Sequence, residues 1–257
     1  MDETSVGRNL AAEIVGMTIV MLGGPGLIVL GGDIGPLGVS IGFGVALAIA
    51  IGVIGAVANP MFSLALLFAR AISTKEAVVD WIGQLIGGVF GAALIFGLDD
   101  TTRFTAGTNG WEPSDDVTAG VDLGVNLTGF AELGVVLAAE FVIGVIVTVV
   151  LLSSISQQRS NATMAAFTGA AYALGTLFLL DLSGAGINPA RSLGMAIFAD
   201  TDPNALGQVW VFVLVPLVSA FGGVLVWLAI DDATIDDTIF DDSVLEDISD
   251  AVTGDRD

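Results

Sequence analysis

The sequence predicts an all-α membrane protein: six transmembrane helices plus two re-entrant half-helices, arranged as an inverted repeat. Three observations predict it. Of 257 residues, 54% are hydrophobic and only 14% charged, a balance that a soluble core of this size does not show. Six mostly apolar runs reach the roughly 18 residues needed to cross a hydrocarbon layer. The two halves of the chain also carry the same polar residues at matched spacing.

The six runs cover residues 10–30, 36–57, 78–98, 131–152, 162–182 and 209–230. None alternates in polarity over about ten residues, as a β-barrel strand would. The first run follows Asp2 and Glu3, carries Glu13 and exceeds the apolar core of a signal peptide, so it is expected in the mature chain. Arg8, Arg70, Lys75 and Arg159 fall in the N-terminus and in the links after spans two and four. By the positive-inside rule those segments face the cytoplasm. A multi-pass protein of the cell membrane with both termini cytoplasmic follows. Arg256 then lies inside and Arg103 outside.

The repeat is visible as NLAAEIVG at 9–16 against VLAAEFVIG at 136–144. Each half opens with a glutamate inside a span, Glu13 or Glu140, and reaches an Asn-Pro pair 46 residues later in one half and 48 in the other. Three spans separate the halves, an odd number, so the second half enters the membrane from the opposite face. The membrane domain is therefore 1–230, with repeat one at about 8–98 and repeat two at about 131–230.

The apolar stretches after the two Asn-Pro pairs, 61–69 and 190–199, are too short to span. Asn is a good N-cap and Pro suits the first helical position, so Asn59-Pro60 and Asn188-Pro189 each start a half-helix inside the membrane. The first enters from the cytoplasm and the second from outside, so they meet head to head at the centre. The residues before them, 55–58 and 183–187, are expected to be extended and to line a path with carbonyls, because irregular backbone at membrane depth must be buried in protein or face water. Carbonyl acceptors suit a neutral solute that donates hydrogen bonds.

Two facing helix N-termini contribute about half a positive charge each, a field that repels cations and protons. Arg191, in the first turn of the second half-helix, adds to it near the outer mouth. Glu13 and Glu140 are read as scaffold carboxylates that accept hydrogen bonds from the non-helical backbone of their own repeat. That reading is preferred to a proton relay, which needs a chain of titrating partners, because the chain has no histidine.

Net charge is −21, and the segment 231–257 reads as an acidic, solvated cytoplasmic tail. Even without that tail, 17 acids stand against six bases, which excludes nucleic acid as a partner and points to a proteome adapted to high internal salt. The chain has no cysteine and no histidine, so disulfides, thiol chemistry, a His-based proton relay and a His metal site are excluded. No metal or other cofactor is expected. The link 99–130 carries turn signals and belongs outside, with Asn126 in a weak glycosylation sequon.

The paired Asn-Pro motifs with Arg191 resemble the aquaporin, or major intrinsic protein, family over about 10–230, and GINPARSLG at 186–194 is close to a family signature. The resemblance implies the aquaporin-like right-handed bundle, usually a homotetramer with one pore per subunit in the lipid bilayer. It implies a pore motif at Asn59, Pro60, Met61, Asn188, Pro189 and Ala190. It places a selectivity filter at Phe43, Thr176, Ala185 and Arg191, with Val39, one turn away, as the other register of the aromatic position.

Three departures stand out. Met61 replaces the usual alanine and is expected to narrow the midpoint. Val57 replaces a histidine on the inner path. Thr176 replaces the filter histidine and, with Ala185, widens the filter, whereas Ser192 stands where glycerol-conducting members carry Asp. The implied function is a passive channel for water, with glycerol or other small neutral solutes also admitted. The competing reading is an inverted-repeat secondary transporter; an enzyme is disfavoured because no nucleophile–base pair stands in the membrane domain.

Overall fold

The computed structural model describes residues 3–99, 107–111, 132–201 and 204–231. Asn126, Arg103, Arg256 and the tail beyond Asp231 lie outside the described residues. Helices α1 (Glu3–Gly23), α2 (Pro25–Leu30), α3 (Gly35–Ile49), half-helix α4 (Pro60–Phe68) and α5 (Thr74–Leu98) form the first repeat. Helices α6 (Leu133–Ser156), α7 (Asn161–Ser183), half-helix α8 (Pro189–Phe198) and α9 (Ala205–Ile230) form the second. Among the described residues, six stretches are long and apolar enough to cross a membrane: Ser5–Leu30, Gly35–Ile54, Thr74–Leu98, Leu133–Ser156, Asn161–Ser183 and Ala205–Ile230.

Where the spans stop is a local matter of backbone chemistry. The first span is broken at Gly24, after which Pro25, unable to donate a backbone hydrogen bond, starts α2. The second ends in a wide π turn, Ala50–Ile54, closed by Gly55 at φ +78°. The fifth closes in the same way on Gly184 at φ +75°. Both glycines stand four residues before the capping Asn of their repeat, in a left-handed conformation that carries little penalty only without a Cβ. They turn the chain out of a helix and into the extended run that the half-helix needs.

The spans pair as α1 on α5 and α6 on α9 within the repeats, and as α3 on α7 between them. In lipid there is little hydrophobic drive between helices, so close backbone approach through small residues does the work. A Cβ built on Gly44 would stand 2.3 Å from the Gly169 carbonyl oxygen, and one on Gly169 2.5 Å from that of Gly44. Helices α3 and α7 therefore touch backbone to backbone. Half-helix α4 is seated against α5, α6 and α9, and half-helix α8 against α5 and α9.

The seating of α4 corrects the reading of Met61 as a narrowing of the midpoint. Its sulfur lies 3.3 Å from where a Cβ of Gly144 would be, beside Ser219 at the crossing of α6 and α9. The side chain fills space behind the half-helix and is fully buried there. Four residues after the glutamate of each repeat stand Met17 and Gly144. Bulk and absence of bulk have traded places: Met17 sits by the half-helix that carries Ala190, with its sulfur 3.6 Å from Asn188 Nδ2, and Gly144 leaves room for Met61.

Met61→Ala should empty this seat and lower unfolding free energy by about 2–4 kcal/mol, as large-to-small changes in cores do. Chemical unfolding of the purified protein in mixed micelles checks this. Gly144→Ala should also destabilise, since its Cβ would stand 2.6 Å from the Ser219 Cβ.

Candidate functional site

The two half-helices begin with the same device. Asn59 and Asn188 are extended, and each folds its side-chain oxygen over the start of its own helix: Asn59 Oδ1 accepts from the Met61 amide at 3.0 Å, and Asn188 Oδ1 from Ala190 and Arg191 at 3.1 and 3.2 Å. Pro60 and Pro189 occupy the first helical position. The side-chain nitrogens then cross between repeats. Asn59 Nδ2 donates to the Ile187 carbonyl at 3.0 Å, and Asn188 Nδ2 to the Ala58 carbonyl at 2.8 Å. Each Asn thus ties the residue preceding the other. One amide hydrogen of Asn188 faces the sulfur of Met17, a weak acceptor.

Glu13 and Glu140 serve the extended segments. Glu13 Oε1 accepts from the Val57 amide at 2.6 Å and Oε2 from the Ala58 amide at 2.9 Å. Glu140 Oε1 accepts from the Gly186 amide at 2.6 Å and from the Ser183 hydroxyl at 2.5 Å. Around Glu13 a buried polar chain continues inward. Gln84 Nε2 donates to Glu13 Oε2 and to Ser63 Oγ, Ser63 Oγ donates to Asp80 Oδ2, and Asn9 Nδ2 donates to Asp80 Oδ1. Composition had not pointed to Asn9, Asp80 or Gln84; their signal is a polar residue on the helix face that α1 and α5 share.

The carbonyl path is shorter than the sequence suggested. Ser183 is the last residue of α7, and its carbonyl accepts from the Gly110 amide and Asn109 Nδ2. The carbonyls of Ala58, Ile187 and Gly184 are engaged by Asn188, Asn59 and Arg191. The stretch available is reduced to Gly55, Ala56 and Val57 on one side and Ala185 and Gly186 on the other. The outer link contributes in a way that its turn signals did not reveal. Asn109 bridges Ser183 to Ser192, while Gln208 pairs with both backbone polar groups of Trp111.

Arg191 is wholly buried, and its Nη2 donates to the Gly184 carbonyl at 2.8 Å. Asp181, ten residues before Arg191, is exposed. Nε and Nη1 of Arg191 and the hydroxyl of Thr176 are buried without a partner among the described residues. Phe43 faces this group, its ring centroid 5.7 Å from Arg191 Cζ, and rests on Gly24, where a Cβ would strike the ring at 2.2 Å. Val39, one turn away, lines a cavity with Leu180, Asp181 and Gly184 instead. Ala185, at φ +59°, is buried beside Gly184.

Two cavities flank the caps. One, on the Gly184 side, is about 470 Å³ and is lined by Val39, Asp33, Asp181 and Gly184 among others. The other, on the Gly55 side, is about 160 Å³ and is lined by Gly55, Ala56, Val57, Phe62 and Met164 among others. Sequence reasoning missed Phe62, which lines the smaller cavity, and Tyr172, whose ring meets those of Phe62 and Phe43; both are buried. The available signal was the helical spacing of Thr168, Tyr172 and Thr176, which puts three hydroxyls on one face of α7.

Comparison with known proteins agrees with this arrangement. The profile of the family described as "Major intrinsic protein" matches residues 1–227. The chain is 31% identical over 236 residues to aquaporin Z of Brucella melitensis, covering 86% of this chain and 96% of that protein. It is 29% identical over 221 residues to "Glycerol uptake facilitator protein-like 6" of Lactiplantibacillus plantarum, covering 83% and 93%. Among solved structures, the aquaglyceroporin from Plasmodium falciparum shares the fold, with TM-score 0.69 and 19% identity over 90% of this chain and 99% of that one. With its broken spans, capped half-helices and crossed asparagines, the chain belongs to the major intrinsic protein family.

Proposed function

We propose that this chain is a passive channel that conducts water and small neutral solutes of the glycerol class down their gradients, without cofactor or chemistry. One observation carries the reading. Near the crossed asparagines stand wholly buried polar groups that make no hydrogen bond of proper geometry among the described residues: Arg191 Nε and Nη1, the Thr176 hydroxyl and the Tyr172 hydroxyl. Buried polar groups are almost always hydrogen-bonded, and a file of water passing from one cavity to the other would satisfy these. The names of its relatives, aquaporin Z and a glycerol facilitator-like protein, support the same class of solute.

In this reading Asn59 and Asn188 orient the solute where the half-helices meet. The two N-termini and Arg191 oppose cations and protons. Phe43, Thr176, Ala185 and Arg191 form the filter, with Thr176 and Ala185 keeping it wider than a histidine would. Glu13 and Glu140 hold the extended segments in register. The protein assembles as a homotetramer in the cell membrane with both termini cytoplasmic, consistent with Arg8, Arg70, Lys75 and Arg159 on that side. The acidic surface suits high internal salt.

Stopped-flow light scattering on proteoliposomes tests the proposal: fast water flux is expected with no accompanying proton current, and a proton current that scales with the water flux would overturn it. Solute uptake should be non-saturable and independent of an ion gradient; saturable, ion-coupled uptake would identify a transporter. Thr176→His should lower glycerol permeability more than water permeability. An unchanged ratio would move the filter away from Thr176.

A further inference from the structure

We infer that Phe62 and Tyr172 form a second, aromatic constriction on the cytoplasmic side of the crossed asparagines, where ring width limits the solute and the Tyr172 hydroxyl gives it a hydrogen-bonding station. The inference rests on the channel reading above. It deepens that reading by assigning specificity to a place other than the outer filter.

The repeat itself locates Phe62. It is the third residue after Asn59, as Arg191 is the third after Asn188, so the two side chains hold matching places on half-helices of opposite direction. Arg191 turns toward the outer end, where Gly184 accepts its hydrogen bond. Phe62 lines the smaller cavity with Val57 and Leu66, and it is wholly buried. One half of the path thus ends in a cation and the other in a ring.

Tyr172, the single tyrosine of the chain, lies one turn before Thr176 on α7. Its ring centroid is 6.1 Å from that of Phe43 and 6.4 Å from that of Phe62, the latter edge to face at 74°. The three rings make a continuous wall from beside Arg191 to the smaller cavity. Aromatic side chains are large and rigid, with only two side-chain torsions to order.

The hydroxyl is the second, independent feature. Tyr172 is 1% exposed, and its oxygen lies near the Asn188 side chain and Arg191 but makes no hydrogen bond of proper geometry with the described residues. A tyrosine that merely filled the core would be expected to find a partner or to be phenylalanine. A solute crossing the midpoint would supply one, between the rings of Phe43 and Phe62.

The test uses the full chain in proteoliposomes, with water and glycerol as probes. Phe62→Val should raise the glycerol-to-water permeability ratio severalfold. Tyr172→Phe, which removes only the oxygen, should slow water by roughly two- to tenfold, the value of one modest hydrogen bond. Thermal unfolding of each variant shows that it is folded. Wild-type conduction with both variants unchanged overturns the constriction; a wild type without flux overturns the channel reading itself.

A measurement on the unmutated backbone keeps the proposal testable if the variants do not fold. Because tyrosine occurs once, biosynthetic 3-fluorotyrosine gives a single fluorine resonance at Tyr172. It should shift between H2O and D2O and respond to glycerol. A resonance insensitive to both would place the hydroxyl in dry core and overturn the station.

Discussion

Two short runs of non-helical backbone, each buried at membrane depth, must have their hydrogen bonds made by protein, and the rest of the architecture depends on meeting that demand. In hydrocarbon an unsatisfied amide or carbonyl costs several kcal/mol, so such runs survive only inside a polar frame. Here the frame is a carboxylate for the amides and an asparagine for the carbonyl: Glu13 with Val57 and Ala58, Glu140 with Gly186, and the reciprocal Asn59–Ile187 and Asn188–Ala58 bonds. Because each asparagine also caps its own half-helix, one side chain fixes the helix start and the opposite repeat together. The two half-helices are held facing each other by side chains that belong to both halves.

The inverted repeat shares its frame and diverges in what it holds. Ser63 and Ser192 stand at matching positions, yet Ser63 joins a buried chain to Gln84, Asp80 and Asn9, whereas Ser192 reaches Asn109 of the outer link. Met17 and Gly144 reverse their bulk, as do Ala190 and Met61 across from them. Arg191 and Phe62 differ most in chemistry. The shared frame keeps the fold symmetric while its two ends become unlike, a cation at one and aromatic rings at the other.

The spans and half-helices were legible because their signals are local. Hydrophobic length marks a crossing, and Asn-Pro marks a helix start whatever surrounds it; the half-helices run from Pro60 to Phe68 and from Pro189 to Phe198, each bound one residue before that of the apolar stretch expected. Glycine four residues ahead of each cap could be read the same way. Rotation about a helix axis is not local. Nothing in Asn-Pro-Met states which side of α4 the Met61 side chain takes, and Gly144, which makes room for it, is 83 residues distant. Ser183 likewise looked like a pore carbonyl until Asn109 and Gly110 occupied it.

Composition, span length and the matched Glu and Asn-Pro spacing thus determined by themselves that the chain is a six-span inverted repeat with two half-helices meeting head to head. Only the tertiary structure decided which side chains face the space between them. It set Phe43 rather than Val39 against Arg191, turned Met61 away, and brought Phe62 and Tyr172 within edge-to-face reach across 110 residues of sequence. The physical reason is that a helix's start is written in its own caps, whereas the direction of a buried side chain is settled by the neighbour that leaves it room.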